Sequence, residues 1–268
     1  MGTTVITGGT DGIGRALAAH LLRRGETVVV VGRSRAKFDS LPSGDAHFVA
    51  ADLRLVRENQ RVVTELRERF PVIDALVLAA AFVHRDRQLT EEGFEHTFAL
   101  YYLSRHLLAA GLLPALAAAP RPVVLDATVP GAPKDAVRWD DLQLSRDFGW
   151  KVANLQSRRL GELSAQRLVT RPEAGALRYV LVNPGFVRTS HQGALSRPAR
   201  AFVTLLARTL GTPPERAVTP LVALLDEPPA EPLTAYRGGK VVPLSTVDLA
   251  DVERLHEVTD CLLTPLAR

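Results

Sequence analysis

Residues 3–14 read TTVITGGTDGIG, a β-branched run that breaks at Gly8, Gly12 and Gly14 and passes into the helical spacing of GRALAAHLLRRG, 14–25. A strand that turns this abruptly into a helix needs glycine where a side chain would block the turn. It also places the strand's C-terminus and the helix's N-terminus at one edge, where free N–H groups and a partial positive charge favour an anion. This junction sets the expectation for everything after it.

The same rhythm continues. Strands are expected at TVVVVGR (27–33), HFVAADL (47–53), DALVLAA (74–80), PVVLDAT (122–128) and LRYVLVNPG (177–185), with GKVVPL (239–244) as a seventh at the sheet edge. Helices are expected at 56–70, at 90–116 with a break near Pro114, and at 149–170. Strands that alternate with helices imply an α/β fold, a Rossmann-type doubly wound parallel sheet of about seven strands, here one domain over 1–268. In such a sheet ligands bind beyond the strand C-termini.

Composition excludes several classes. The 46% hydrophobic content of 268 residues allows a sizeable core. The formal net charge is only +4 and the basic residues form no block, which argues against a nucleic-acid partner. The longest apolar stretch, 107–119, is too short to span a bilayer and contains Gly111 and Pro114. Cys261 is the only cysteine, so no internal disulfide or thiolate metal cluster is expected. With no leader-like start, the expected location is the cytoplasm. Only Lys37, Lys134, Lys151 and Lys240 are lysine among 33 basic residues, a bias that suggests a GC-rich bacterial genome.

The glycine turn reads as a pyrophosphate cradle, with Gly8, Thr10, Asp11, Gly12, Ile13 and Gly14 as its residues. The second strand ends in Arg33 and Ser34, where an acid would hold ribose hydroxyls. A guanidinium suits a 2′-phosphate instead, so NADP(H) is expected over NAD(H). Asp52, followed by Leu53, is placed to accept from an adenine amine.

Taken together, TGGTDGIG, ADL (51–53), TEEGFEHTFALYYL (90–103), DDLQL (140–144), VNPGFVRTS (182–190) and YRGGKVVPLS (236–245) resemble the short-chain dehydrogenase/reductase family, in its retinol-dehydrogenase-like branch. The resemblance runs nearly end to end. It implies that Ala79 and Ala80 flank the cofactor, that Pro184, Gly185, Val187 and Thr189 wrap the nicotinamide, and that residues 190–235 form a substrate lid. It also implies a homodimer or homotetramer.

The family's catalytic set is only partly matched. Lys151 fits the family lysine and is assigned to ribose binding. Thr128 stands at the serine position and Tyr101 at the asparagine position. Asp147 stands where the proton-donating tyrosine belongs. A free aspartate with a pKa of about 3.9 is ionised at neutral pH, and a lysine four residues on lowers it further. An Asp147–Lys151 helical pair is the favoured reading, with Asp147 as acid or base and Tyr101 as a substitute acid kept open. His84 and His106 read as surface or lid residues. The expectation is an atypical, biosynthetic oxidoreductase that reduces an imine, iminium ion or conjugated enone of a hydrophobic small molecule. The alternatives are a non-redox cyclase, isomerase or dehydratase, or an NADP(H)-sensing protein.

Overall fold

The computed structural model describes residues 2–185, 213–244 and 248–266. Val187 and Thr189 lie outside them, as do residues 190–212 of the expected lid. The strands are β1 (Thr3–Thr7), β2 (Thr27–Gly32), β3 (Ala46–Ala50), β4 (Ala75–Leu78), β5 (Val123–Ala127), β6 (Arg178–Asn183), β7 (Leu233–Arg237) and β8 (Lys240–Val241). They form one sheet in the order β3-β2-β1-β4-β5-β6-β7-β8, parallel throughout except for the β7–β8 hairpin. The edge strand expected at 239–244 is therefore only the return arm of a hairpin. Its partner, Leu233–Arg237, lies inside the segment expected to be lid and pairs with β6 from Tyr179↔Leu233 to Asn183↔Arg237.

The sheet is covered on both faces. Val28, Val29, Val30 and Val31 of β2 are all fully buried, as a central parallel strand requires. Alternate strand residues face opposite layers. Ile6, Val28, Val30, Val77 and Leu125 pack with Leu17 and Leu21 of helix α1 (Gly12–Arg23) and with Leu221 of the helix Thr219–Asp226. Val5, Val29, Val31, Leu76 and Val124 pack with Val62 and Leu66 of α3 (Val56–Arg69) and with Leu108 and Leu112 on the opposite layer. The short α2 (Arg35–Phe38) follows β2.

The helix expected over 90–116 starts later. Residues 90–95 form a turn instead, with Gly93 at φ +83° and Leu89 bridged to Glu95. Glu95 then caps α4 (His96–Phe98), its carboxylate accepting from the N–H groups of Thr97 and Phe98 at 2.9 and 2.8 Å. A π-helical turn, Ala99–Leu103, joins α4 to α5 (Ser104–Gly111), and α6 (Leu113–Ala117) carries Pro114 in its first turn. α7 (Trp150–Val169) opens after Gly149.

Candidate active site

The strand order reverses between β1 and β4, and a cavity of about 510 Å³ lies at that switch point, beyond the strand C-termini. Gly8, Thr10, Asp11, Gly12, Ile13, Gly14, Arg33, Asp52, Leu53, Ala79, Ala80 and Tyr101 all border it, as the sequence led one to expect. Thr7 fixes the floor: its hydroxyl accepts from the N–H groups of Ala79 and Ala80 at 3.0 and 3.2 Å, tying β4 to β1.

The glycine turn is shaped to admit a ligand's backbone-hugging group. Gly8 has φ +69°, and a Cβ there would come within 2.8 Å of the Ala80 Cα. A Cβ on Gly14 would stand 2.6 Å from the Gly8 carbonyl oxygen. Asp11 caps α1 by accepting from the Gly12 N–H at 2.7 Å, and Lys37 neutralises its other oxygen. Arg33 is exposed at the end of β2 and makes no hydrogen bond or ion pair among the described residues. These residues fit a nicotinamide dinucleotide: the glycine turn packs too closely on β4 and on itself to carry side chains, the start of α1 borders the cavity, and a guanidinium with no partner among the described residues stands beside it. Ser34 instead caps α2, accepting from the Lys37 N–H at 3.3 Å, and is not part of the cavity wall.

Asp52 is less open than its sequence position suggested. Arg54 Nε donates to its two oxygens at 2.9 and 3.0 Å, and the Arg54 N–H donates at 3.1 Å. Burial opposes ionisation of Asp52, but these bonds outweigh it and hold the carboxyl below its usual range.

The residues assigned to proton transfer separate. Asp147 precedes α7, its side chain is 83% exposed, and its neighbour is Arg138 at 3.8 Å. The expected helical pair with Lys151 does not form, because Gly149 starts the helix too late to include Asp147. Lys151 is exposed, its ammonium 5.7 Å from the ring centre of Trp150, and it does not border the cavity. Thr128 is half-buried at the end of β5, its N–H donating to Val182 O at 3.0 Å. Pro184 and Gly185 follow β6, with Gly185 at φ +80°. Tyr101 alone of the proposed proton donors borders the cavity, set there by the π-helical turn. Burial raises its phenol above the usual value, against the nearby guanidinium of Arg105.

Other lining residues carried little signal in the sequence. Trp150, Phe82, Arg54 and His96 border the cavity. His96 is 3% exposed and its Nε2 lies 3.0 Å from Phe82 O. His84 stacks edge-on to it at 4.4 Å. His106 is neither surface nor lid: it packs beside Tyr102, and its Nδ1 meets Ser164 Oγ at 2.9 Å.

The loop from β5 to α7 is pinned from below, which fixes the rim. Glu162 Oε1 accepts from the N–H groups of Gly131 and Ala132 at 2.7 and 3.1 Å. Gln156 accepts from Arg138 N–H and donates to Leu142 O, both at 2.9 Å.

Comparison with known proteins agrees with this architecture. The sequence model described as short chain dehydrogenase matches residues 2–127. Mouse retinol dehydrogenase 14 is 29% identical over 221 residues, covering 73% of this chain and 66% of that protein. The NmrA-like family domain-containing oxidoreductase notO of Aspergillus is 28% identical over 69% of this chain and 62% of its own. The chain thus spans just under two thirds of the length of these relatives. Among solved structures, L-sorbose reductase from Gluconobacter frateurii, complexed with NADPH and L-sorbose, superimposes with a TM-score of 0.64 at 20% identity, covering 88% of this chain and 94% of that one. The match to the short chain dehydrogenase model takes in just under half of the chain, and the similarity to retinol dehydrogenase 14 extends over 73% of it. The eight-stranded, mostly parallel sheet with helices on both faces is the Rossmann-like α/β fold of these solved structures. No helix among the described residues is long and apolar enough to cross a membrane.

Proposed function

We propose that this chain is an NADP(H)-dependent oxidoreductase acting on an electrophile that needs no proton from a side chain, an iminium ion or conjugated enone of a hydrophobic small molecule. One observation supports this reading: the glycine turn, Arg33, Asp52, Ala79 and Ala80 border one cavity, while Asp147 and Lys151 do not. The N–H groups at the start of α1 would hold the pyrophosphate, and Arg33 the 2′-phosphate. A bound nicotinamide would supply the hydride. Reduction of a ketone makes an alkoxide, which requires a neighbouring acid. An iminium ion becomes a neutral amine and requires none, and an enone takes its proton on carbon, within reach of water.

A second reading rests on Tyr101, whose phenol borders the same cavity and could protonate a carbonyl oxygen. The test is NADPH consumption by the purified protein with cyclic imines, enones and ketones, with Tyr101→Phe alongside. Turnover of imines or enones that survives Tyr101→Phe supports the first reading. Ketone reduction lost in Tyr101→Phe supports the second. Turnover without NADPH loss points to a cyclase, isomerase or dehydratase, and binding without turnover to a sensor.

A further inference from the structure

The formally charged side chains that border the cavity are Asp11, Arg33, Asp52, Arg54 and Arg85. Both carboxylates are answered within the protein: Lys37 pairs with Asp11, and Arg54 with Asp52. Two guanidiniums remain, those of Arg33 and Arg85, and neither makes a hydrogen bond or ion pair among the described residues. The uncompensated charge of this wall is therefore positive, and it favours an anionic occupant. Arg33 is matched to the 2′-phosphate. The exposed guanidinium of Arg85 has no such counterpart.

The chain on either side of Arg85 fixes where its charge stands. β4 ends at Leu78, and the segment after it is tied at two points. Phe82 O lies 3.0 Å from His96 Nε2, and Arg87 Nε donates to Gln143 O at 3.1 Å. Gln143 belongs to the loop between β5 and α7. Arg85 thus rides on a stretch that crosses from β4 toward the β5 side. Arg33, at the end of β2, stands on the other side of the strand-order switch. The β5–α7 loop also delivers Trp150, the first residue of α7, to the cavity wall with its side chain exposed. An exposed indole in a cavity wall is a flat apolar surface on which a planar conjugated group can stack.

We propose that the substrate is a conjugated enone that carries a carboxylate, with the carboxylate paired to Arg85 and the planar body laid on Trp150. This rests on the reading that the cavity holds a dinucleotide and reduces an enone or an iminium ion, and it chooses between the two. An iminium cation would meet Arg85 with no unpaired carboxylate in the described wall. The Trp150 ring already has the Lys151 ammonium 5.7 Å from its centre, so a second cation there would face a like charge. A carboxylate instead takes two parallel N–H bonds from one guanidinium. In the reaction the β-carbon gains the hydride that a bound reduced nicotinamide would supply, the C=C π electrons pass into an enolate, and water protonates the α-carbon. The carboxylate is unchanged and serves only to hold and orient.

The experiment is steady-state NADPH oxidation by the full chain with three benzylideneacetones that differ only at the para position: carboxylate, methyl ester and trimethylammonium. Wild type is expected to give the carboxylate a kcat/KM at least about tenfold above the ester, as for a charge-assisted hydrogen bond, and the ammonium compound the lowest. Arg85→Gln should bring carboxylate and ester within about twofold, through KM rather than kcat. Arg85→Glu should invert the order of the two charged compounds. A binding readout stands beside turnover: with NADP⁺ present, the carboxylate should quench tryptophan emission in wild type, and Trp150→Leu, which keeps Trp139, should lose that quench. Equal kcat/KM for carboxylate and ester in wild type, an undiminished ratio in Arg85→Gln, or a quench that survives Trp150→Leu overturns the assignment with the enone reading intact. So does an about tenfold loss of NADP⁺ affinity in Arg85→Gln, which would put the guanidinium on a cofactor phosphate. Reduction of cyclic imines with none of the three enones taken overturns the choice of substrate and leaves the oxidoreductase reading standing. No NADPH oxidation with either class overturns that reading, and the assignment with it.

Discussion

Arg105 of α5 closes on Asp126 of β5 beneath the cavity, and both are buried, 6% and 1% exposed. Tyr179 donates to the second Asp126 oxygen at 3.0 Å, and Arg105 Nη2 reaches Ala127 O at 3.2 Å. The same guanidinium lies 5.1 Å from the ring centre of Tyr101. The pair thus joins the π-helical turn to the strand end that carries Thr128. Arg105→Met would strand a buried carboxylate, and its expected cost is about 3–5 kcal/mol. Denaturant unfolding measures it. The double variant Arg105→Met, Asp126→Leu should recover a large part of the loss, because burying a charge alone is worse than burying none.

Arg33 faces the cavity with no competing carboxylate bonded to it. Arg33→Ala should weaken NADPH by about 1.5–3 kcal/mol, roughly tenfold to a hundredfold, the range for a hydrogen bond to a charged group. NADH should change by less than twofold. Calorimetry with both dinucleotides checks this, and an equal loss for the two would refute the phosphate assignment.

Asp147, which the family resemblance sets at the tyrosine position, should be dispensable. With its side chain 83% exposed, its one ion pair among the described residues is a 3.8 Å surface contact with Arg138. Such pairs contribute under about 1 kcal/mol. Asp147→Asn is therefore expected to leave melting temperature, NADP⁺ affinity and turnover essentially unchanged. A loss of turnover without a loss of stability would put this carboxylate in the reaction.

These contrasts show which features the sequence could announce. The glycine turn, Arg33 and Asp52 were legible because local backbone rules fix them: a strand end, a turn and a helix start lie within a few residues. Tyr101 was singled out by the family resemblance, and it borders the cavity from the π-helical turn. The Asp147–Lys151 pair was expected at helical spacing although the helix read over 149–170 already left Asp147 before its start. Gly149 fixes that start. β7 was absorbed into the expected lid because LTAYR is short and weakly alternating, and only its pairing with β6 makes it a strand. Arg105–Asp126 is a long-range fact. No periodicity within a segment encodes a partner 21 residues away.

His106 provides a pH test that needs no ligand. Burial pushes its imidazole down to about 4, opposed by the carboxylate of Asp260 and aided by His256, Arg171 and Arg167. In the unfolded chain a histidine titrates near 6.5. Between these values the unfolded state holds a proton that the folded state lacks, so stability rises with pH across the window. The stabilisation is complete above about pH 6.5 and is lost as pH falls toward 4. His106 should account for on the order of 3 kcal/mol of that loss. His96, also pushed down to about 4 and chiefly by burial, adds a similar slope. Urea unfolding from pH 7 to 4.5 should therefore show a falling free energy. His106→Gln should remove about half of the histidine-dependent slope. An unchanged slope in that variant would mean that the imidazole takes up its proton within the folded protein, with the helices around it giving way.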